Sequence, residues 1–112
     1  MKVRQSGRHA YPKIERLFHE RARLGLLIAL INHPEGLSFM TLGTLCALTP
    51  GNMGRHVQNL LEKEVIEEET KREGKIGRPT TIYRITATGH ERFSAYLREL
   101  ERVVSDVRAH WP

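Results

Sequence analysis

The chain is poor in the features that would mark it as secreted, membrane-bound or catalytic. Its single cysteine, Cys46, excludes an intrachain disulfide. The longest apolar run, Leu24 to Ile31 with Gly25 inside it, falls far short of the roughly 20 residues that span a bilayer. No secretory leader is visible, so the cytoplasm is the expected compartment. Gly-rich phosphate loops, nucleophile motifs and His/Cys metal spacings are also missing, which argues against an enzyme and implies no cofactor. Neither an internal repeat nor a low-complexity tract is present.

What is present fits one ordinary globular domain of 112 residues, 39% hydrophobic and 28% charged. The formal net charge is +5 and the pI near 9.8, which suits a polyanionic partner. Placement says more than the sum. From Lys71 to Arg84 five cations (Lys71, Arg72, Lys75, Arg78, Arg84) face Glu73 alone, and the N-terminal Lys2, Arg4, Arg8 and Lys13 are interrupted by no acid. Glu62 to Glu69, by contrast, is strongly acidic. The organisation expected is a flexible basic arm over 1–11 and one domain over 12–112.

Local signals divide that domain. Pro12 suits a first helical turn, with Ile14, Leu17 and Phe18 at helical spacing. A second helix is expected over Glu20 to Asn32, apolar nearly all round and therefore central. Asn32-His33-Pro34-Glu35-Gly36 ends it. Ser38 is a good N-cap for a helix over Phe39 to Cys46, with Leu42 and Leu45 facing inward. After a break at Ala47-Leu48-Thr49, Pro50 opens another helix to about Glu64. Met53, Val57, Leu60 and Leu61 form its inner stripe, leaving Asn52, Arg55, His56, Asn59 and Lys63 outside, with no carboxylate before Glu62. Thr49 would cap this helix, and free amides at its start, near Gly51, can meet a phosphate.

Strands are expected over Val65 to Thr70 and Thr80 to Ile85, joined by a basic, Gly-containing tip. From Ala87 the pattern is helical to about His110. Phe93, Leu97, Leu100, Val104, Val107 and Trp111 recur at spacings of 4, 3, 4, 3, 4, a heptad seam long enough to pair with a second chain. The fold class is thus mainly α with a small β-hairpin (α+β): a helix-turn-helix over 38–64, a wing over 65–85 and a long C-terminal dimerisation helix over 87–110. A helix presented after a tight turn beside a basic loop is the geometry that reads duplex DNA.

The sequence resembles winged helix-turn-helix regulators of the MarR and ArsR kind, in particular a compact bacterial and archaeal subgroup. The matching residues are Arg23-Leu24 with the apolar run to Leu30, Ser38-Phe39-x-x-Leu42, and Leu48-Thr49-Pro50-Gly51-Asn52-Met53-x-Arg55-His56-Val57-x-x-Leu60. They end with Gly77-Arg78-Pro79-Thr80-Thr81-x-Tyr83-Arg84-Ile85-Thr86-x-x-Gly89. The resemblance implies a DNA-binding homodimer that controls transcription. It assigns DNA contact to Asn52, Arg55, His56 and Asn59 on the recognition helix, with Lys75 and Arg78 on the wing; the flanking Lys71 and Arg72 extend that basic surface. The family pattern often has Ser or Thr where Gly51 and Gly54 stand here, and each glycine weakens the helix by roughly 1 kcal/mol relative to alanine.

Other residues carry weaker readings. Cys46 fits a small buried hydrophobe better than a redox sensor. Asp106 and His110 share a helix face, but two ligands make a poor metal site. Tyr11, Phe18, Phe93 and Trp111 could line a pocket for an unidentified small-molecule effector, though packing is the simpler role. A repressor acting on a pseudo-palindromic operator is the leading functional reading. The alternative is a winged-helix module for protein–protein assembly without specific DNA binding.

Overall fold

The computed structural model describes residues 7–72, 77–109 and 111. Helix α1 (Arg21–Asn32) is followed by a short strand β1 (Leu37–Ser38), then α2 (Phe39–Cys46) and α3 (Pro50–Glu62). Strands β2 (Ile66–Lys71) and β3 (Thr80–Ile85) lead into the 22-residue α4 (Ala87–Arg108). The sheet is antiparallel with order β1-β3-β2, so β3 is central. Among the described residues, four helices and three strands make a winged-helix α+β fold. No described helix is long and apolar enough to cross a membrane.

Side-chain caps set the helix starts. Ser38 Oγ accepts from Thr41 N, Thr49 Oγ1 from Asn52 N, and Thr86 Oγ1 from Gly89 N. The Glu20 carboxylate caps α1 by accepting from Ala22 N and Arg23 N. Each such cap contributes about 1 kcal/mol by satisfying amides that have no partner within the helix. The α2–α3 turn is made by Ala47, whose φ of 53° lies in the left-handed region.

Leu26, Leu27 and Leu30 of α1 meet Leu42, Met53, Leu60, Val65 and Phe93 in one buried core. Phe18, Phe93 and Tyr96 pack ring against ring, with Phe18 edge-on to Phe93 at 5.4 Å between centroids. Aromatic pairs of this kind add about 0.5–1.5 kcal/mol beyond their buried area. Gly89 fixes where α4 leaves the sheet: a Cβ there would overlap the Val65 carbonyl. Gly36 (φ 98°) is needed at the turn into β1, where a Cβ would strike Ile82.

Several sequence expectations change. No helix forms over Pro12 to His19; the backbone makes isolated turns such as Ile14 N to Tyr11 O and Phe18 N to Glu15 O. The segment spends its hydrogen bonds on α4 instead, with Lys13 N donating to Glu99 Oε2. The expected loose arm over 1–11 is likewise revised at its end. Tyr11 Oη donates to Asp106 Oδ2 at 2.7 Å, and Ala10 O accepts from Arg102. Residues 10–19 therefore form a strap along one face of α4. Leu45, expected inside, is 56% exposed, because α2 turns Leu42 and Gly43 to the core. Strand β2 begins one residue later than Val65, and β1 was not anticipated. Lys2 and Arg4 lie outside the described residues.

Candidate nucleic-acid interface

Helix α3 is held from one side and open on the other. Met53, Val57 and Leu60 are buried, each burial contributing about 1.5–3 kcal/mol. Gly51, Asn52, Gly54, Arg55, Gln58 and Glu62 are exposed, and Asn59 is half-buried. Thr49 is exposed but its hydroxyl is occupied by the cap. Met53 N donates to Thr49 O, so among the described residues the Gly51 N–H is the first-turn amide without an acceptor. No hydrogen bond or ion pair restrains the Arg55 guanidinium among the described residues. Gln58, not singled out from the sequence, shares the open side and donates to Glu62 Oε1 at 3.3 Å.

His56 corrects the sequence reading. Expected on the outer face, it is buried at 4% exposure. A buried ring needs partners, and Arg23 Nε supplies one by donating to Nδ1 at 3.2 Å. Glu20 Oε2 lies 3.6 Å from the same nitrogen. Burial pushes the His56 pKa below its ordinary 6.5; Glu20 raises it again, while Arg23 and Arg55 add to the lowering. The neutral ring thus accepts from Arg23 and ties α3 to the start of α1. Burial opposes ionisation of Glu20, but the Ala22 and Arg23 amides, His56 and the Arg23 charge together hold its pKa below normal. In this state His56 positions the helix that carries Arg55 and does not itself face outward.

A polar cavity of about 440 Å³ opens beside α3, lined in part by Glu20, Arg21, Cys46, Asn52, Arg55 and His56. Arg21, also missed from sequence, is exposed there and adds a cation next to Asn52 and Arg55. Its proximity depends on packing of α1 against α3, which no local pattern announces. Cys46 is partly buried, and burial pushes its thiol pKa up, the opposite of an activated thiolate.

On the wing, Lys71, Arg72 and Arg78 are exposed at the outer ends of β2 and β3. Lys75 lies outside the described residues. Arg84, counted with the wing cations, is committed elsewhere: it pairs with Glu69 at 2.9 Å and donates to Glu35 O. Cross-strand register explains this, since Glu67 sits opposite Arg84 and Glu69, two residues on, is its diagonal neighbour on the same face.

At the far end of the domain the heptad seam divides. Phe93 is fully buried in its own core, not at an interface, because the strap's Phe18 packs edge-on against it at 5.4 Å. Tyr96 and Glu99 join it inside; Tyr96 shares a hydrogen bond with His19 at 2.7 Å. The Arg102 hydrogen bond holds the Glu99 carboxyl below its normal pKa, with Lys13 assisting. Leu97, Val104, Val107 and Trp111 are exposed and Leu100 is half-buried. Asp106 is engaged by Tyr11, and His110 lies outside the described residues; among the described residues no group of three or more His, Cys, Asp or Glu could hold a metal. Of the aromatic set considered for an effector pocket, Phe18 and Phe93 are packed in the core, and Tyr11 lies under Arg102 at 4.4 Å.

Residues 22–104 match the winged helix DNA-binding domain model, and the chain belongs to that family. Several solved structures share this fold. A transcriptional regulator homologue from Pyrococcus horikoshii aligns with a TM-score of 0.75 at 24% identity, over 86% of this chain and 93% of that one. A Staphylococcus aureus MepR variant bound to an oligodeoxyribonucleotide gives 0.68 at 17% identity, over 94% and 75%. A MarR-family transcriptional regulator from Silicibacter pomeroyi gives 0.62 at 16% identity, over 95% and 69%. At these identities the likeness is one of fold. No curated protein matches the sequence.

Proposed function

We propose that this protein is a sequence-specific duplex-DNA-binding transcriptional regulator that works as a homodimer on a pseudo-palindromic operator. The observation that carries the reading is the open face of α3. It presents Asn52 and Arg55 from a capped helix clamped by its own core, with no carboxylate in the first three turns. Arg55 suits guanine N7/O6 and Asn52 suits adenine. The Gly51 amide, Arg21, Lys71, Arg72 and Arg78 supply phosphate contacts that position without specifying. Thr49 holds the start of the helix, Asn59 lies at the edge of the contact, and His56 acts from behind. The same fold carries an oligodeoxyribonucleotide in the MepR variant.

Repression by occluding a promoter is the simplest mechanism, since a DNA-reading face needs only to be occupied to block a competitor. A second reading, an assembly module, draws on the apolar end of α4, but it gives the cations beside α3 no task. Selection of bound sequences from a random duplex library at physiological salt tests the proposal. Enrichment of a pseudo-palindrome with half-sites about one helical turn apart is the expected result. Retention that is only salt-sensitive and sequence-blind would transfer the weight to assembly.

A further inference from the structure

Four side-chain donors and one engaged carboxylate line the polar cavity between α1 and α3. Arg21, Asn52 and Arg55 supply three of the donors, and among the described residues none of these side chains has a hydrogen-bond or ion-pair partner. His56 supplies the fourth. Its Nδ1 accepts from Arg23 Nε, so the neutral ring carries its proton on Nε2. That N–H has no acceptor among the described residues. No sealed side-chain nitrogen or oxygen among them goes without a partner, so Nε2 reaches solvent, at the cavity that His56 lines. The carboxylate is Glu20, whose two oxygens already accept from the Ala22 and Arg23 amides. It lies against Nδ1, at 3.6 Å, and leaves the Nε2 edge of the ring to the cavity.

Donors gathered in this way suit a ligand with several acceptor oxygens and negative charge. A phosphate group has both, and a guanidinium fork matches its oxygens in pairs. We infer that this cavity seats a phosphate group, held by the Arg21 guanidinium and by His56 Nε2–H. Two sources share that chemistry, a phosphodiester of bound duplex and free phosphate. Position favours the duplex. Asn52 and Arg55 belong both to the cavity wall and to the open face of α3, so DNA on that face runs a backbone strand past the cavity mouth. With those two turned to bases, Arg21 and His56 remain for the strand at the edge of the groove. An oxygen accepting from Nε2 polarises the ring and makes Nδ1 a stronger acceptor for Arg23. An occupied seat therefore tightens the tie between α3 and α1. The seat rests on the DNA-binding function proposed above, and gives the buried histidine a ligand of its own.

Nitrogen NMR of the His56 ring in the full wild-type chain tests the seat. Sodium phosphate, sodium chloride at matched ionic strength and a mixed-sequence duplex are titrated in turn. The free protein should show the Nε2–H tautomer, and the Nε2 signal should move saturably with duplex or phosphate but not with chloride. Saturation by duplex where phosphate has no effect assigns the seat to the DNA backbone. Saturation by phosphate alone, with duplex displaced, assigns it to the free anion. A duplex that binds without moving Nε2 any more than chloride does, with phosphate equally inert, would overturn the seat and leave DNA binding standing. A duplex that fails to bind while phosphate moves Nε2 would do the reverse, and silence in both would overturn the two together. His56→Asn then separates contact from positioning, because Asn keeps the acceptor for Arg23 and lacks the Nε2 donor. It should melt close to wild type yet bind every duplex about tenfold more weakly, with the salt slope unchanged because the lost donor is neutral. Arg21→Ala should weaken binding and also lower the slope by about 1. A folded His56→Asn that binds duplex and phosphate as wild type does would show that His56 only positions α3. The wild-type ring titration decides the matter even if the variant folds poorly.

Discussion

Helices α3 and α4 are both amphipathic, yet their open sides are opposites. Beyond its buried stripe, α3 exposes Gly51, Asn52, Arg55 and Gln58, and no large hydrophobic residue. The end of α4 exposes Leu97, Val104, Val107 and Trp111. The first surface keeps its water until a polar, charged partner replaces it; the second loses free energy for as long as it stays wet. Two helices of one small domain are thus prepared for two kinds of partner. The difference also shows in how each is held. Helix α3 is fixed by its core and by His56, whereas the last turns of α4 are held from one side by Tyr11 and the Ala10 carbonyl.

Matched truncations should separate the two. Leu60→Ala empties the platform beneath α3 and should cost about 2–5 kcal/mol of stability in chemical denaturation. Val107→Ala removes a half-exposed side chain and should stay within about 0.5 kcal/mol under monomeric conditions. Equal losses would erase the distinction. Next in size, Arg78→Ala should weaken binding to all duplexes evenly and reduce the salt slope by about 1. Loss confined to one sequence would move Arg78 from anchor to reader.

Acid should loosen the attachment of α3. The folded pKa of His56 lies below 6.5, so its contribution is complete above pH 6.5 and declines as pH falls, while the unfolded chain takes up the proton first. His56→Asn keeps an acceptor for Arg23 without a titrating proton, and should flatten that part of the stability profile. An unchanged slope in the variant would show that His56 is not the responsible group. A small effect is expected at the α2–α3 turn, where Ala47→Gly relieves a left-handed residue but adds unfolded-state entropy. Melting should report a net change of no more than about 1 kcal/mol.

Which features were legible follows from the range of the forces behind them. Ser38, Thr49, Pro50 and Thr86 act on backbone groups within three or four residues, so the starts of α2, α3 and α4 could be read from the sequence alone. The exposed Asn52 and Arg55 followed from helical spacing once α3 was placed. Features built across the chain were not legible. The β1 strand is two residues long and exists through its pairing with Ile82 and Tyr83. The strap depends on Tyr11 finding Asp106, 95 positions away. His56 has the spacing of an edge residue, and only Arg23 and Glu20, brought over by α1, make its burial tolerable. Phe93 and Val107 are equivalent in a heptad count, yet Phe18 of the strap covers the first and Val107 stays half exposed.

The most direct test of the reading face compares wild type and Arg55→Ala on a selected duplex and a scrambled one at fixed salt. Wild type should prefer the selected duplex, and Arg55→Ala should lose about 1–3 kcal/mol on it, roughly 10- to 100-fold, while binding the scrambled duplex much as before. Affinity and preference both unchanged in the variant would mean that the open side of α3 does not read DNA.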